Sequence, residues 1–172
     1  PYKRVDLVVQ AANQLGVRTV IAGEGTELER LKRMARPNVE FPGAVSEEDA
    51  GMLMETCGAL VFCATEDFGL VPVEAMACGK PVVATGVGGS AEFLRDGDNC
   101  VLFRPGDPED LARVVTELAG DPDRRAALVA GGHRTAEALD VEKLVDVMES
   151  WHVWTAVGMP VAVRLNDDDQ LD

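Results

Sequence analysis

Two acidic residues flank a short turn near the middle of the chain. Residues 65–79 read TEDFGLVPVEAMACG, in which Glu66 and Glu74 lie on either side of a Phe-Gly-Leu turn and Pro72. Proline is favoured in the first turn of a helix, so the turn is predicted to lead into a helix N-terminus. The N–H groups there can bind an anion, and carboxylates accept hydrogen bonds from hydroxyl groups. The pattern thus places acceptors on both sides of a turn whose backbone can hold an anion.

The elements around this turn alternate between helices and short apolar strands. Strands are predicted for the runs at 18–22, 39–41, 59–64, 81–84 and 100–103. Helices are predicted at 5–15, from the N-cap Thr26, at 46–57, 72–78 and 90–94, and, beyond the last strand, from 107, from 121 and at 141–151. Fully apolar strands are typical of a sheet covered on both faces.

This alternation predicts an α/β fold with a doubly wound parallel sheet, Rossmann-like, in three α/β/α layers. Ligands bind such sheets beyond the carboxyl ends of the strands. The loops at Gly23, Gly43, Thr65 and Gly86 follow predicted strands and are expected at that edge.

The composition excludes several classes of function. The chain has 172 residues and a formal net charge of −14, which argues against a nucleic-acid-binding face. Its apolar runs are shorter than the ~20 residues that a membrane span needs, and no signal peptide opens the chain. The four cysteines, Cys57, Cys63, Cys78 and Cys100, lack CxxC spacing and are expected to be buried, reduced thiols. We therefore expect a cytoplasmic protein.

Five motifs in this order resemble one enzyme family. They are YKRVDLVV at 2–9, GEG at 23–25, VEFPGAVS at 39–46, EDFGLVPVE at 66–74 and GGSAEFLRDGDN at 88–99. Together they are similar to the donor-binding, C-terminal half of GT-B retaining glycosyltransferases of family 4, the glycosyl transferases group 1. Each motif alone is weak evidence for the resemblance, whereas five motifs in this order are specific to the family.

The resemblance implies that residues 1–150 form a nucleotide-sugar-binding domain, with 151–172 as a C-terminal tail. It implies transfer of a hexose from a nucleoside diphosphate sugar, such as a UDP- or GDP-sugar, with retained anomeric configuration and without a cofactor. The acceptor-binding half would be a separate domain or partner chain, without which this chain is expected to be inactive. Peripheral membrane contact of the full enzyme stays open.

Two alternatives to this interpretation remain. The chain could be a nucleotide-sugar-binding subunit or fragment that has no activity of its own and needs a separate acceptor-binding partner. It could also be an unrelated doubly wound fold, such as an epimerase or a flavodoxin-like regulator, although Glu66 and Glu74 with this turn between them fit an epimerase less well.

The resemblance also implies how the diphosphate is bound. The N–H groups of Gly69 and Leu70 would point at a phosphate from the helix N-terminus, and Lys3 would add a positive charge. No metal is then needed. No Asp-x-Asp pair follows a strand, and the acidic run at 167–169 is interpreted as a solvated tail.

The two glutamates would bind the two sugar rings. Glu74 would accept both hydroxyls of the ribose, and Glu66 would bind hydroxyls of the hexose and favour positive charge at its anomeric carbon. The alternative is a purely structural role, in which both carboxylates stabilise the N-terminus of a helix. Phe68 either packs in the core or covers the sugar.

The base is expected at the loop Gly43–Val45, whose backbone groups would bind its edge while an apolar side chain covers its face. Gly23, in the GEG loop, is a further candidate for binding the nucleotide sugar. Gly88 and Gly89 either bring backbone toward the ligand or form a plain tight turn.

Two features depart from the family pattern. Cys100 follows Asn99 where the family usually has glycine, and a positive φ there would strain the backbone. The tail contains VAVRL at 161–165, which alternates like a strand. One hypothesis is that it occupies the central slot of the family's first strand and brings Arg164 beside Lys3. The alternative is an artificial or unstructured tail.

Overall fold

The computed structural model describes residues 3–139 and 161–163. The helices in these ranges are α1 (Val5–Leu15), α2 (Leu28–Met34), α3 (Glu47–Thr56), α4 (Leu70–Ala77), α5 (Pro108–Ala119) and α6 (Pro122–Leu139). The strands are β1 (Thr19–Ala22), β2 (Val39–Gly43), β3 (Ala59–Phe62), β4 (Val82–Ala84), β5 (Val101–Leu102) and β6 (Val161–Val163). A 3₁₀ turn covers Gly89–Glu92.

The six strands form one sheet in the order β2-β1-β6-β3-β4-β5. β1 pairs with β2, β3 with β4, and β4 with β5, all in parallel. The predicted α/β fold with a doubly wound parallel sheet is thus confirmed.

β6 is the antiparallel member of this sheet. It pairs with both β1 and β3, so that Ala162 lies opposite Val20 on one side and Leu60 on the other. Residues 161–163 therefore occupy the centre of the sheet, in a direction that the sequence pattern does not specify. Arg164 lies outside the described residues, as does the helix predicted at 141–151.

The sheet separates two apolar clusters. Side chains alternate along each strand, so Val61 contributes to one cluster whereas Leu60 and Phe62 contribute to the other. The first cluster packs the sheet against α1 and α5, and the second packs it against α4. α4 in turn packs against α6. This gives the three predicted layers.

Local signals explain several helix ends. Gly16 ends α1 with a φ of 69°, and Ser46 caps α3 by accepting a hydrogen bond from the Asp49 N–H at 3.1 Å. Asp107 caps α5 ahead of Pro108. The prediction for Thr26 was wrong, because α2 begins at Leu28 and its N-cap, Glu27, makes no side-chain capping bond. The helix predicted at 90–94 is only the 3₁₀ turn.

Two expectations about cysteine change with the structure. Cys57, Cys63 and Cys100 are buried and free, as expected, but Cys78 is exposed at the end of α4. Cys100 is not among the residues with positive φ, so the strain considered for it does not arise. Within the described ranges, no helix is both long and apolar enough to cross a membrane.

Candidate functional site

Residues 65–70, here called the glutamate turn, connect the end of the β3 segment to α4. Gly69 is the N-cap residue of α4 and has a φ of 83°. A Cβ atom at this position would also lie 3.0 Å from the Phe62 ring. Glycine is therefore required both for its left-handed backbone and for its contact with the core. Because glycine has no side chain to cap the helix, the first N–H groups of α4 are left to other acceptors.

Lys3 and Glu66 come together beside this turn. The Lys3 Nζ lies 4.0 Å from the Glu66 Oε1, and the two side chains are 20% and 23% exposed. Lys3 comes just before α1, and Glu66 follows β3, so the fold joins two distant segments at the carboxyl edge of the sheet. The pair therefore places an ammonium next to a carboxylate, both half-buried, at the predicted ligand-binding edge.

Glu74 lies on α4, on the other side of the glutamate turn. Its side chain is exposed, yet burial by the surrounding protein raises the pKa of its carboxyl group. Glu74 is thus placed where a bound molecule could contact it.

Gly88 and Gly89 contact the glutamate turn directly. The Gly89 N–H donates a 2.9 Å hydrogen bond to the Glu66 carbonyl, and Gly88 forms a parallel bridge with Glu66. Gly89 begins the 3₁₀ turn, and both glycines pack closely on the chain at Glu66. Their backbone approaches another segment of the protein.

Phe68 is half-buried and packs against the core. Its ring centroid lies 5.5 Å from that of Phe93, with the ring planes tilted by 39°. This contact matches the core alternative for Phe68.

The loops after β1 and β2 are joined to each other. The Gly23 N–H donates a 2.6 Å hydrogen bond to the Gly43 carbonyl, and both glycines have positive φ values, of 117° and 81°. Val45, two residues further, is half-buried. These three predicted ligand-binding residues therefore lie together at the carboxyl ends of the two strands.

Among residues 3–139 and 161–163, no cluster of three or more His, Cys, Asp or Glu side chains could hold a metal ion.

The left-handed backbone conformation of Arg4 was not predicted from the sequence. This N-cap residue of α1 is left-handed, with φ 46° and ψ 37°, an uncommon state for a side chain of this size. Its guanidinium bonds to the Asp6 carboxylate at 3.1 and 3.3 Å. Asp6 also raises the pKa of Arg4. This conformation sets the direction in which Lys3 leaves the start of α1. No residue type in the sequence indicates such a conformation at this position.

The chain matches the family model described as Glycosyl transferases group 1 over residues 1–135. It belongs to this family. The match includes the glutamate turn, Lys3 and the glycine loops described above.

Three similar proteins illustrate the relationship. An uncharacterized glycosyltransferase from Methanocaldococcus jannaschii is 32% identical over 150 residues, which cover 84% of this chain and 43% of that protein. The D-inositol 3-phosphate glycosyltransferase of Thermomonospora curvata is 48% identical over 81 residues, 47% of this chain and 19% of that protein. The crystal structure of Anabaena Alr3699/HepE in complex with UDP-glucose has a TM-score of 0.75 and 26% identity, covering 87% of this chain and 46% of that one.

These comparisons identify a domain with the GT-B glycosyltransferase fold. The chain spans less than half the length of each of the three proteins.

Proposed function

We propose that this chain is the donor-binding half of a retaining, metal-independent family 4 glycosyltransferase, with residues 1–150 as the donor domain. In this proposal it transfers a hexose from a nucleoside diphosphate sugar to an acceptor held by a second domain or chain. The observation that carries the proposal is the convergence of Lys3 and Glu66 beside the N-terminus of α4, 4.0 Å apart. A cation, an acid and free helix N–H groups at one place suit a ligand with an anionic centre and hydroxyl groups.

The diphosphate would lie at the N-terminus of α4. The N–H groups of Gly69 and Leu70 and the Lys3 ammonium would bind its oxygens. As the glycosidic bond breaks, negative charge grows on this leaving group, and preorganised donors stabilise it most when they need not reorganise. A Cβ atom at Gly69 would lie 3.0 Å from the Phe62 ring, so this part of the turn packs closely on the core, which supports such preorganisation.

The two glutamates would bind the sugar rings on either side. Glu66, beside Lys3, would accept hydrogen bonds from hexose hydroxyls and favour positive charge at the anomeric carbon. Glu74, one turn into α4, would accept the two ribose hydroxyls. The surrounding protein that raises the pKa of Glu74 would also strengthen such hydrogen bonds. The base would contact the joined loops at Gly23 and Gly43–Val45.

The second candidate is a nucleotide-sugar-binding subunit without activity of its own. The observation in its favour is that the chain spans 43% of the Methanocaldococcus relative and 46% of the Anabaena structure. In both candidates the four free cysteines fit a reducing, cytoplasmic location. Both predict the same donor site and differ only in turnover.

A ligand panel read by thermal denaturation tests the proposed site. The chain is heated with UDP, GDP or ADP, with the matching glucose conjugates, and with each of these in EDTA. A ligand that binds only the folded state at 100 times its Kd adds about 2.7 kcal/mol, which is a shift of several degrees. We expect at least one nucleotide to raise Tm equally with and without EDTA. A folded sample that responds to none of them would contradict the proposal. A response that is lost in EDTA would contradict metal independence alone.

A further inference from the structure

A second segment of the chain packs along the glutamate turn and contacts it at Glu66 and at Phe68. We call residues 88–93 the backing segment. Gly88 pairs with Glu66 in a parallel bridge, and the Gly89 N–H donates to the Glu66 carbonyl at 2.9 Å. At the other end of the turn, the rings of Phe93 and Phe68 pack at 5.5 Å. The turn that carries Glu66 is thus supported by main-chain contacts at Glu66 and by a ring contact at Phe68.

The contact is too close for any side chain at its centre. A Cβ atom at Gly89 would lie 1.5 Å from the Asp67 carbonyl oxygen, and one at Gly88 would lie 2.6 Å from the Glu66 carbonyl oxygen. Gly88 also has a φ of 83°, whereas Gly89 is not among the glycines with positive φ. Only the lack of space therefore requires glycine at position 89. Because the clashing atom belongs to the backbone, an added methyl group would displace the turn itself.

We propose that Gly89 is a positioning residue for donor binding, which fixes the main chain of Glu66 and Asp67 through this contact. This inference rests on the function proposed above and adds a residue that touches neither the donor nor the reacting atoms. Its consequence is geometric: the Glu66 carboxylate and the Gly69 N–H group belong to one turn, so the backing segment sets both positions at once. A displacement of about 1 Å is enough to weaken a hydrogen bond to a ligand severely.

Gly89→Ala isolates this effect, and the chain offers two matched controls. At Gly131 in α6, a Cβ atom would lie 1.9 Å from the Asp98 carbonyl oxygen, so Gly131→Ala introduces the same kind of clash at a different contact. At Gly51 in α3, nothing lies within 4 Å of the added atom, so Gly51→Ala introduces the same methyl group without a clash. Gly131→Ala shows the effect of a backbone clash on stability alone. Gly51→Ala shows the effect of adding a methyl group without a clash.

The measurement is calorimetric titration of each variant with UDP and with UDP-glucose. The Kd for UDP divided by the Kd for UDP-glucose measures how much the hexose strengthens binding. We expect Gly89→Ala to reduce this ratio by about tenfold, the order expected for one lost hydrogen bond to a charged group. Both controls should keep the wild-type ratio, even if Gly131→Ala lowers Tm. A wild-type ratio in Gly89→Ala would overturn the inference.

A double-mutant cycle with Glu66→Gln tests whether Gly89 acts through Glu66. In the Glu66→Gln background, Gly89→Ala should change the ratio by less than twofold, because the carboxylate that it positions is already gone. Full additivity of the two substitutions would overturn the inference.

Amide hydrogen exchange tests the positioning role of Gly89 independently of donor binding. In the protein without nucleotide, Gly89→Ala should speed exchange of the amides at 66–70, whereas Gly131→Ala should not. If Gly89→Ala does not fold, Phe93→Leu, which removes the ring contact to Phe68 and some packing in the second apolar cluster, should speed exchange at the same amides to a smaller extent. Unchanged exchange there would overturn the positioning role. Failure of wild type to bind UDP, GDP, ADP or any of their glucose conjugates, with faster exchange in Gly89→Ala, would instead contradict the proposed function alone.

Discussion

The ammonium of Lys3 and the carboxylate of Glu66 lie 4.0 Å apart at the carboxyl edge of the sheet. Each is a candidate for one part of the donor, the diphosphate for Lys3 and the hexose for Glu66. Their proximity indicates that the phosphate nearest the hexose and the hexose itself would be bound by neighbouring groups. The pair therefore makes the effect of Lys3 on binding a test of where the diphosphate lies.

Lys3→Met should weaken UDP binding by about tenfold, since a charge-assisted hydrogen bond contributes about 1.5–3 kcal/mol and the other diphosphate contacts remain. The loss should shrink as salt increases, because screening weakens what the ammonium contributes. Titration calorimetry at two salt concentrations measures both effects. The control is Lys32→Met, which changes an exposed lysine on α2 that pairs with Glu29 at 3.3 Å. Equal affinities for wild type and Lys3→Met would remove Lys3 from the diphosphate site.

Glu74→Gln should stabilise the fold while weakening nucleotide binding. Burial raises the pKa of Glu74, so the folded state disfavours its charged form and loses stability as the pH rises through that pKa. The substitution removes this penalty, and Tm should rise at pH 7 but not at a pH below about 4, where both states carry the neutral acid. Denaturation at both pH values checks the sign, with Glu137→Gln as the exposed control on α6. A lower Tm at pH 7 in Glu74→Gln would contradict the burial argument.

Asp110→Asn should have the opposite pH dependence. The Asp110 carboxylate, 6% exposed, accepts hydrogen bonds from the Arg104 N–H at 2.7 Å and from the Arg113 guanidinium, and these lower its pKa. A carboxyl group whose pKa is lower in the folded state stabilises the protein at pH values above its unfolded-state pKa. This stabilisation is lost as the pH falls through the folded-state pKa. Asp110→Asn should therefore lower Tm at pH 7, with a difference from wild type that narrows below about pH 4. A pH-independent difference would assign the loss to packing rather than to charge.

One thiol should react much faster than the other three. Cys78 is exposed, whereas burial raises the pKa of Cys63 and of Cys100 to about 12 and also raises that of Cys57. Thiolates rather than thiols are the nucleophiles, so the buried cysteines should react only as the protein unfolds. A disulfide exchange reagent should thus modify one cysteine rapidly in native protein and all four in denaturant. Cys78→Ser should abolish the rapid phase. A rapid phase that persists in this variant would show that a buried segment opens readily.

Much of the fold could be predicted from the sequence because its signals are local. Apolar runs such as ALVF, which forms β3, specify strands with two covered faces, and Asp107-Pro108 specifies a helix start. The α2 start was misjudged because Thr26 has the right residue type for a cap, but the chain enters the helix one residue later, at Glu27. The direction of β6 could not be predicted, because an alternating pattern gives the faces of a strand and not its polarity.

The candidate residues of the site could be predicted more readily than the segments that support them. Glu66, Lys3 and Gly69 were predicted from residue type and motif, and the structure places them at one edge of the sheet. The left-handed Arg4 and the close contact of Gly89 with Asp67 depend on three-dimensional placement, which no single residue signals. Two adjacent glycines in a loop are as consistent with a tight turn as with a buried backbone contact.

A crystal structure of this chain with bound UDP-glucose would test the central claim most directly. We predict that the diphosphate oxygens lie within about 3 Å of the Gly69 and Leu70 nitrogens. The Lys3 Nζ should contact the same group, with the hexose at Glu66 and the ribose at Glu74. A nucleotide bound elsewhere, or one whose diphosphate does not contact the N-terminus of α4, would contradict the account.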